Sequence, residues 1–292
     1  MKITVITDVH SNYQGLSAVL NDIEVEKPDL VIGAGDMVGC SAYTGSIEVW
    51  NALHERGIPF VMGNEEERII RYYDPSGDSY LKEAIQFKPL QYRAKQFSID
   101  HIDQMRSLPL QIMLEGPQNQ NVFICHASPR DLHRSPMLGI DSRMEEELHE
   151  TRAHVIVSGH HHMKWHQYWQ GKLLIMAGSA GLTLRGKLDE VDYLTLSFHK
   201  QKWHFEYKTV TYDYQAAIQE IIASGFLEKS RPIGWLMFDE VLTQKDHLIP
   251  FFNEYCPDER PDNLENWTKL VIGYLEHIQR WESVKPFISH LF

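Results

Sequence analysis

The stretch KITVITDVH, from Lys2 to His10, starts as a run of β-branched and aliphatic residues and ends on a carboxylate and an imidazole two positions apart. A short apolar run of this kind is the pattern of a buried strand, and it stops at Asp8. Outward from it, NYQGLSAVLNDIEVEKP carries Leu16, Val19, Leu20 and Ile23 at helical spacing, and DLVIGAG repeats the strand pattern. TGSIEVWNALHERG is of helix length and is closed by Gly57, after which IPFVMG is again apolar. Strand and helix alternating over the first 65 residues predict a mainly parallel sheet wrapped by helices.

From Glu65 to Ser107 the sequence is helical and polar, interrupted at Pro75 and Gly77. LQIML, NVFICH, HVIVSGH, KLLIMAGS, YLTLSF and WHFEYKTV then read as six strands, mostly without intervening helices, which predicts a second sheet. Beyond Tyr212 the pattern is helical to the end, in YQAAIQEIIASG, GWLMFDEVLTQ and LENWTKLVIGYLEHIQRW, with a joint at PDERPDN between Pro257 and Pro261.

The 292 residues, 43% hydrophobic and 11% aromatic, are enough to bury a sizeable core. No apolar run approaches the roughly 18 residues of a membrane-spanning helix, and mean hydropathy is −0.35. The apolar N-terminal segment is broken by Asp8 too soon for a signal peptide, so a soluble, cytoplasmic protein is expected. Three cysteines without CxxC spacing make neither a disulfide framework nor a zinc ribbon. A net charge of −12 argues against a nucleic-acid groove. A small anionic substrate would need local positive charge, which bound metal would provide.

Chemistry concentrates where strands stop. Asp8 and His10 follow the first strand as DVH, Asp36 the second as GD, and Asn64 the third as GN. His126 ends NVFICH, and His160 and His162 follow HVIVSG. Open α/β sheets place their sites at this edge. The last two lie in SGHHHMKWH, Ser158 to His166, which holds four of the chain's 16 histidines and by itself is only a compositional hint of metal binding. Taken singly, any of these residues is as readily a turn or cap residue.

The ordered set DxH, GD, GN, a lone His after a strand, and GHxH resembles the calcineurin-like metallophosphoesterases over about residues 1 to 240. GDMVGCSAY, CHASPRD and AGSAGLTLRG resemble the matching segments of a bacterial and archaeal branch that includes phosphodiesterases and diadenosine-tetraphosphatase-like proteins. The resemblance implies a four-layer α/β/β/α sandwich at residues 1–241, with a helical extension at 242–292 packed on it. It also implies two divalent transition-metal ions, Mn, Fe, Zn, Co or Ni. Asp8, His10 and His162 would hold one, Asn64, His126 and His160 the other, and Asp36 would bridge them.

The activity implied is hydrolysis of a phosphodiester, nucleotide or phosphoanhydride by attack of a hydroxide bridging the metals, with Asp36, Asn64, His126 and Glu65 in the catalytic set. The alternatives are a phosphomonoesterase or phosphoprotein phosphatase, and a non-catalytic interaction module on the same scaffold. Arg130 and Arg185 follow site-forming strands and could each hold a phosphate oxygen, and His161 is a loop residue placed to meet the substrate. One position departs from the family pattern. Where many relatives carry His directly after the Asn, this chain has Glu65, which next to two cations would stay ionised and make a poor acid toward the leaving group.

Overall fold

The computed structural model describes the chain apart from residues 76–78, 186, 257–259 and 292. Gly77 of the predicted break and Pro257 of the predicted joint lie outside the described residues. In chain order the strands are β1 (Lys2–Ile6), β2 (Leu30–Gly33), β3 (Gln111–Leu114), β4 (Val122–Cys125), β5 (Val155–Ser158), β6 (Lys164–Trp169), β7 (Lys172–Ala177), β8 (Glu190–His199) and β9 (Lys202–Thr211). They form two sheets, in the orders β2-β1-β8-β9 and β3-β4-β5-β7-β6.

Strand alternation explains the layering. Val122 and Ile124 of β4, Val155 and Val157 of β5, and Leu173 and Ile175 of β7 meet Ile3, Val5 and Ile32 of the first sheet in one apolar cluster between the sheets. The intervening Phe123, Cys125, Ile156 and Leu174 face the other way and pack on Met144 and Leu148 of the helix Ser142–Glu150. On the far side of the first sheet, Ile6 joins Leu16, Val19 and Leu20 of α1 (Tyr13–Glu26) and Trp50 and Leu53 of α2 (Ser46–Glu55). The period of two along each strand thus buries both faces and yields four layers, helix, sheet, sheet, helix, as expected.

Several expectations are corrected. The first sheet is mixed: β1 pairs parallel with β2, but β8 returns antiparallel beside β1 and β9 continues antiparallel. IPFVMG is reduced to a single parallel bridge, Gly33 with Phe60. Pro59 has no N–H to extend the ladder, and Met62 already bonds to Pro109 O at 2.8 Å. KWHQYW, taken only as the end of a histidine tract, is the edge strand β6, and the helix Ser142–Glu150 separates β4 from β5. The last predicted helix is also two, Leu264–His277 and Trp281–Ile288, separated by a turn in which Gln279 has φ 59. That turn presents Arg280, whose Nε and Nη2 donate to Asp239 Oδ1 at 2.9 and 2.8 Å.

The tail is part of the main core. Phe251, Trp267, Val271, Tyr274, Leu275, Val284 and Ile288 belong to the same cluster as Leu16 and Trp50. Among the described residues no helix is long and apolar enough to cross a membrane. Trp267 is 1% exposed, so Trp267→Ala is expected to lower the unfolding free energy by about 3–5 kcal/mol. Urea denaturation followed by far-UV dichroism should show one transition moved to lower urea; two separate transitions would show that the tail unfolds on its own.

Candidate metal centre

The edge where both sheets end gathers the polar residues. β1 runs out into Asp8 and His10, β2 into Asp36, β4 into His126, and β5 into His160 and His162, while Asn64 opens the helix α3 (Asn64–Tyr73). Backbone hydrogen bonds tie these ends together: Asp8 N–H to Gly35 O, His10 N–H to Asp36 O, and Gly159 N–H to His126 O, at 3.1, 3.1 and 2.8 Å. His160 N–H, beyond β5, reaches Asp8 beyond β1, so the two sheets share one rim.

All seven side chains picked out in the sequence converge there. His10 Nε2 lies 2.8 Å from His162 Nε2, and each lies near Asp8 Oδ1, at 3.8 and 3.7 Å. Asp36 Oδ2 stands between this group and the next, 3.7 Å from His10 Nε2 and 3.4 Å from His126 Nε2. Asn64 Oδ1 is 3.0 Å from His126 Nε2 and 2.9 Å from His160 Nδ1. The donor atoms of Asp8, His10 and His162, and those of Asp8, Asp36 and His126, lie within 4.8 Å of one another, so Asp8 borders both groups.

The donor chemistry fits a cation. His126 Nδ1 donates to Ala34 O at 2.9 Å and His162 Nδ1 to Leu182 O at 2.6 Å, because a carbonyl only accepts. In the neutral rings both Nε2 atoms are then lone pairs. Asn64 Nδ2 donates to Glu65 Oε1 at 2.9 Å, which turns Oδ1 toward the imidazoles. Two acceptors, His126 Nε2 and Asn64 Oδ1, consequently face each other at 3.0 Å, a contact that needs a proton or a metal ion to be favourable.

The titration pattern has the same cause. Burial works against it, yet Asp36 and then Asp8 raise His126 to about 10. Against the same burial, His162 and His10 hold Asp8, and His126 and His10 hold Asp36, below the usual carboxylate range. Burial pushes His160 and His162 down to about 4, which keeps both neutral near pH 7. The carboxylates, His160 and His162 are thus in the states that metal ligation requires, whereas the protons that Asp36 and Asp8 favour on His126 and His10 are ones a bound cation would displace.

Strain marks the same residues. Asp8, His10, Asp36, His160 and His162 have φ of 51, 47, 53, 77 and 57. A left-handed L residue costs on the order of 1–3 kcal/mol and persists where its surroundings over-determine it. Here His160 N–H donates to both oxygens of Asp8 at 3.1 and 3.0 Å, and Glu65 N–H donates to Asp36 Oδ1 at 2.9 Å. Gly63 is required beside them, since a Cβ there would sit 2.1 Å from Asp36 Oδ1.

The Glu65 carboxylate is already committed to neighbouring groups. It accepts from Asn64 Nδ2 and from Cys40 N–H at 2.9 and 3.1 Å, and it pairs with Arg68. The placement corrects the catalytic role expected from sequence: Glu65 positions Asn64. Glu66, given no role from sequence, is equally committed. Its Oε2 accepts from Asp36 N–H and Gly63 N–H at 3.0 and 2.8 Å and its Oε1 from Val38 N–H at 3.1 Å, and burial, then Asp36, pushes it up to about 7.

A cavity of about 560 Å³ opens over the cluster. His161 and Arg185 line it, Arg185 while paired with Asp192. Arg130 does not: it pairs with Glu150 beside a separate depression, which removes it from the substrate-binding set. Sequence reasoning missed Arg68, Glu240, Asp246, Leu248 and Ile249, which also line the cavity. The only sequence signal for Arg68 was its position one helical turn after Asn64.

Residues 1–201 match the family model of the calcineurin-like phosphoesterase superfamily domain, and the chain belongs to that superfamily. The uncharacterized protein MJ0912 of Methanocaldococcus jannaschii is 26% identical over 258 residues, covering 80% of this chain and 95% of the relative. A metallophosphoesterase from Sphaerobacter thermophilus has the same fold, with a TM-score of 0.59 at 20% identity over 80% of this chain and 98% of its own. So does the hypothetical protein PH1004 from Pyrococcus horikoshii, with a TM-score of 0.66 at 16% identity over 84% of this chain and 99% of its own.

Glu65→Ala frees the Asn64 amide to rotate and is expected to weaken divalent-ion binding by about 10–100-fold, the usual scale for losing a group that orients a ligand. Calorimetric titration with Mn²⁺ measures it, and an unchanged affinity would show that the amide needs no such support.

Proposed function

We propose that the chain hydrolyses a small phosphodiester, nucleotide or phosphoanhydride with the help of two divalent transition-metal ions. Asp8, His10 and His162 would hold one, Asn64, His126 and His160 the other, with Asp36 shared. The observation that carries this reading is the position of Asp36 Oδ2, 3.7 Å from one imidazole of the first group and 3.4 Å from one of the second. Nitrogen with oxygen donors suits Mn, Fe, Co, Ni or Zn. When bound, such a pair supplies positive charge to phosphoryl oxygens and lowers the pKa of water.

The chain's own residues account for the rest. Four imidazoles and an amide bring no negative charge, so an anionic phosphate can approach. Arg68 reaches the cavity from α3, and its fork of donors can hold a non-bridging oxygen. His161 also lines the cavity. Asp246, Leu248 and Ile249 of the tail wall the cavity, which favours a small substrate over a folded phosphoprotein. The presence of all seven side chains in one cluster favours catalysis over a purely structural module.

Hydrolysis of bis(p-nitrophenyl) phosphate should require an added divalent ion, tried in turn from Mn²⁺ to Zn²⁺. Asp36→Asn should lower kcat by at least about 10²-fold, the scale seen when transition-state charge stabilisation is lost. An undiminished rate in a variant with full metal content would overturn the assignment.

A further inference from the structure

Gln244 follows the helix Ile233–Thr243 and is 1% exposed, well past the residues 1–201 that match the family domain. Its side chain nevertheless reaches the metal centre by way of a single peptide group. That group joins Leu182 to Thr183, both of them buried. Its carbonyl, Leu182 O, accepts from His162 Nδ1 at 2.6 Å, while its N–H, on Thr183, donates to Gln244 Oε1 at 3.1 Å. Carbonyl and N–H point to opposite sides of a trans peptide, so His162 holds one edge of the plane and Gln244 the other.

The direction of each bond around Gln244 is fixed. A peptide N–H only donates, so the atom facing Thr183 is the amide oxygen, which also accepts from Thr183 Oγ1 at 3.3 Å. The amide nitrogen donates to Tyr43 Oη at 3.2 Å. Tyr212 Oη gives its single proton to Leu188 O at 3.1 Å, so Tyr43 is the donor in its 2.8 Å contact with Tyr212. A flipped amide would therefore set donor against donor at Thr183 and acceptor against acceptor at Tyr43. The chain before the peptide is held separately, since Leu182 N–H donates to Ser179 Oγ at 2.8 Å. What is left to Gln244 is the rotation of the Leu182–Thr183 plane.

We propose that Gln244 is a positioning residue for His162: by holding Thr183 N–H it fixes the plane whose carbonyl takes the His162 Nδ1 proton, and so aims His162 Nε2 at the metal. The inference rests on the metal-centre reading above and adds to it a residue of the tail. A bond at the N–H edge also polarises the peptide and strengthens its carbonyl as an acceptor. Without Gln244, Thr183 N–H is buried with no acceptor among the described residues, a cost the peptide escapes by turning. His126 has its own support in Ala34 O, so the effect falls on the group of Asp8, His10 and His162 alone.

The test uses the metal-free full chain labelled with ¹⁵N-histidine, and Gln244→Met, which keeps the length of the side chain and removes the amide. The readout is the Nδ1–H proton resonance of His162, assigned by its loss in His162→Gln and held downfield by the short bond to Leu182 O. Leu148→Ala, in the helix Ser142–Glu150 against the outer face of the second sheet, serves as a destabilised control. We expect the resonance to stay in place in Leu148→Ala and to move upfield or vanish in Gln244→Met. A smaller upfield shift is expected in Tyr43→Phe, which takes the acceptor from the amide and is read in place of Gln244→Met if that variant does not fold. Calorimetric titration with Mn²⁺ should show one ion bound about tenfold more weakly by Gln244→Met and the other unchanged. An unmoved resonance in the Gln244 variant, or an equal disturbance in Leu148→Ala, would overturn the proposal and leave the metal centre standing. Failure of the wild-type chain to bind Mn²⁺ would instead remove the metal reading, and with it the purpose assigned to Gln244, whatever the resonance shows.

Discussion

The Asp36 carboxylate is buried between His10 and His126, and the rim of the molecule is built around keeping it there. Its Oδ1 takes the Glu65 N–H, its own N–H goes to Glu66, and its backbone carbonyl receives the His10 N–H. A buried carboxylate is costly unless paired and hydrogen-bonded, and here Asp8 lies in the same cluster. The arrangement is balanced only with positive charge among these donors. Five left-handed backbone positions show that chain geometry yields to ligand geometry at this place.

The acidic neighbours sort by distance from that centre. Asp8 and Asp36 face the imidazoles, whereas Glu65 and Glu66 turn to an amide and to backbone N–H groups. Three consecutive glutamates at the start of α3 also suit the positive end of a helix. That helix end thereby fixes Asn64, and through it the orientation of the oxygen that His126 and His160 share. The tail is bound to the same site from the other side. Arg280 anchors Asp239, and the adjacent Glu240 accepts from His247 and Leu248 N–H, both at 2.9 Å, which seats the loop walling the cavity.

The cluster was legible because each candidate ligand follows an apolar run, and a strand end is a place that sequence can locate. The four layers were legible for a related reason, since runs such as NVFIC and HVIVS bury both faces. Sheet order was not, because β8 returns to β1 across the whole second sheet and no local pattern records that pairing. β6 was hidden by its composition: only Lys164, Trp165 and Trp169 are half-buried, as suits an edge strand, and its histidine belongs to a tract that reads as a loop. Arg130 looked equivalent to Arg185 in sequence, yet the turn after β4 leads it away toward Glu150. The cavity walls were illegible for the plainest reason, that Arg68, Arg185 and Ile249 meet only in three dimensions.

The central claim is a two-ion centre divided by Asp36, and the most direct measurement of it is anomalous scattering from crystals of the protein grown with Mn²⁺. The account predicts two peaks, one in contact with Asp8, His10 and His162 and one with Asn64, His126 and His160, both reaching the Asp36 carboxylate. A single peak, or peaks that leave Asp36 without a metal contact, would contradict it.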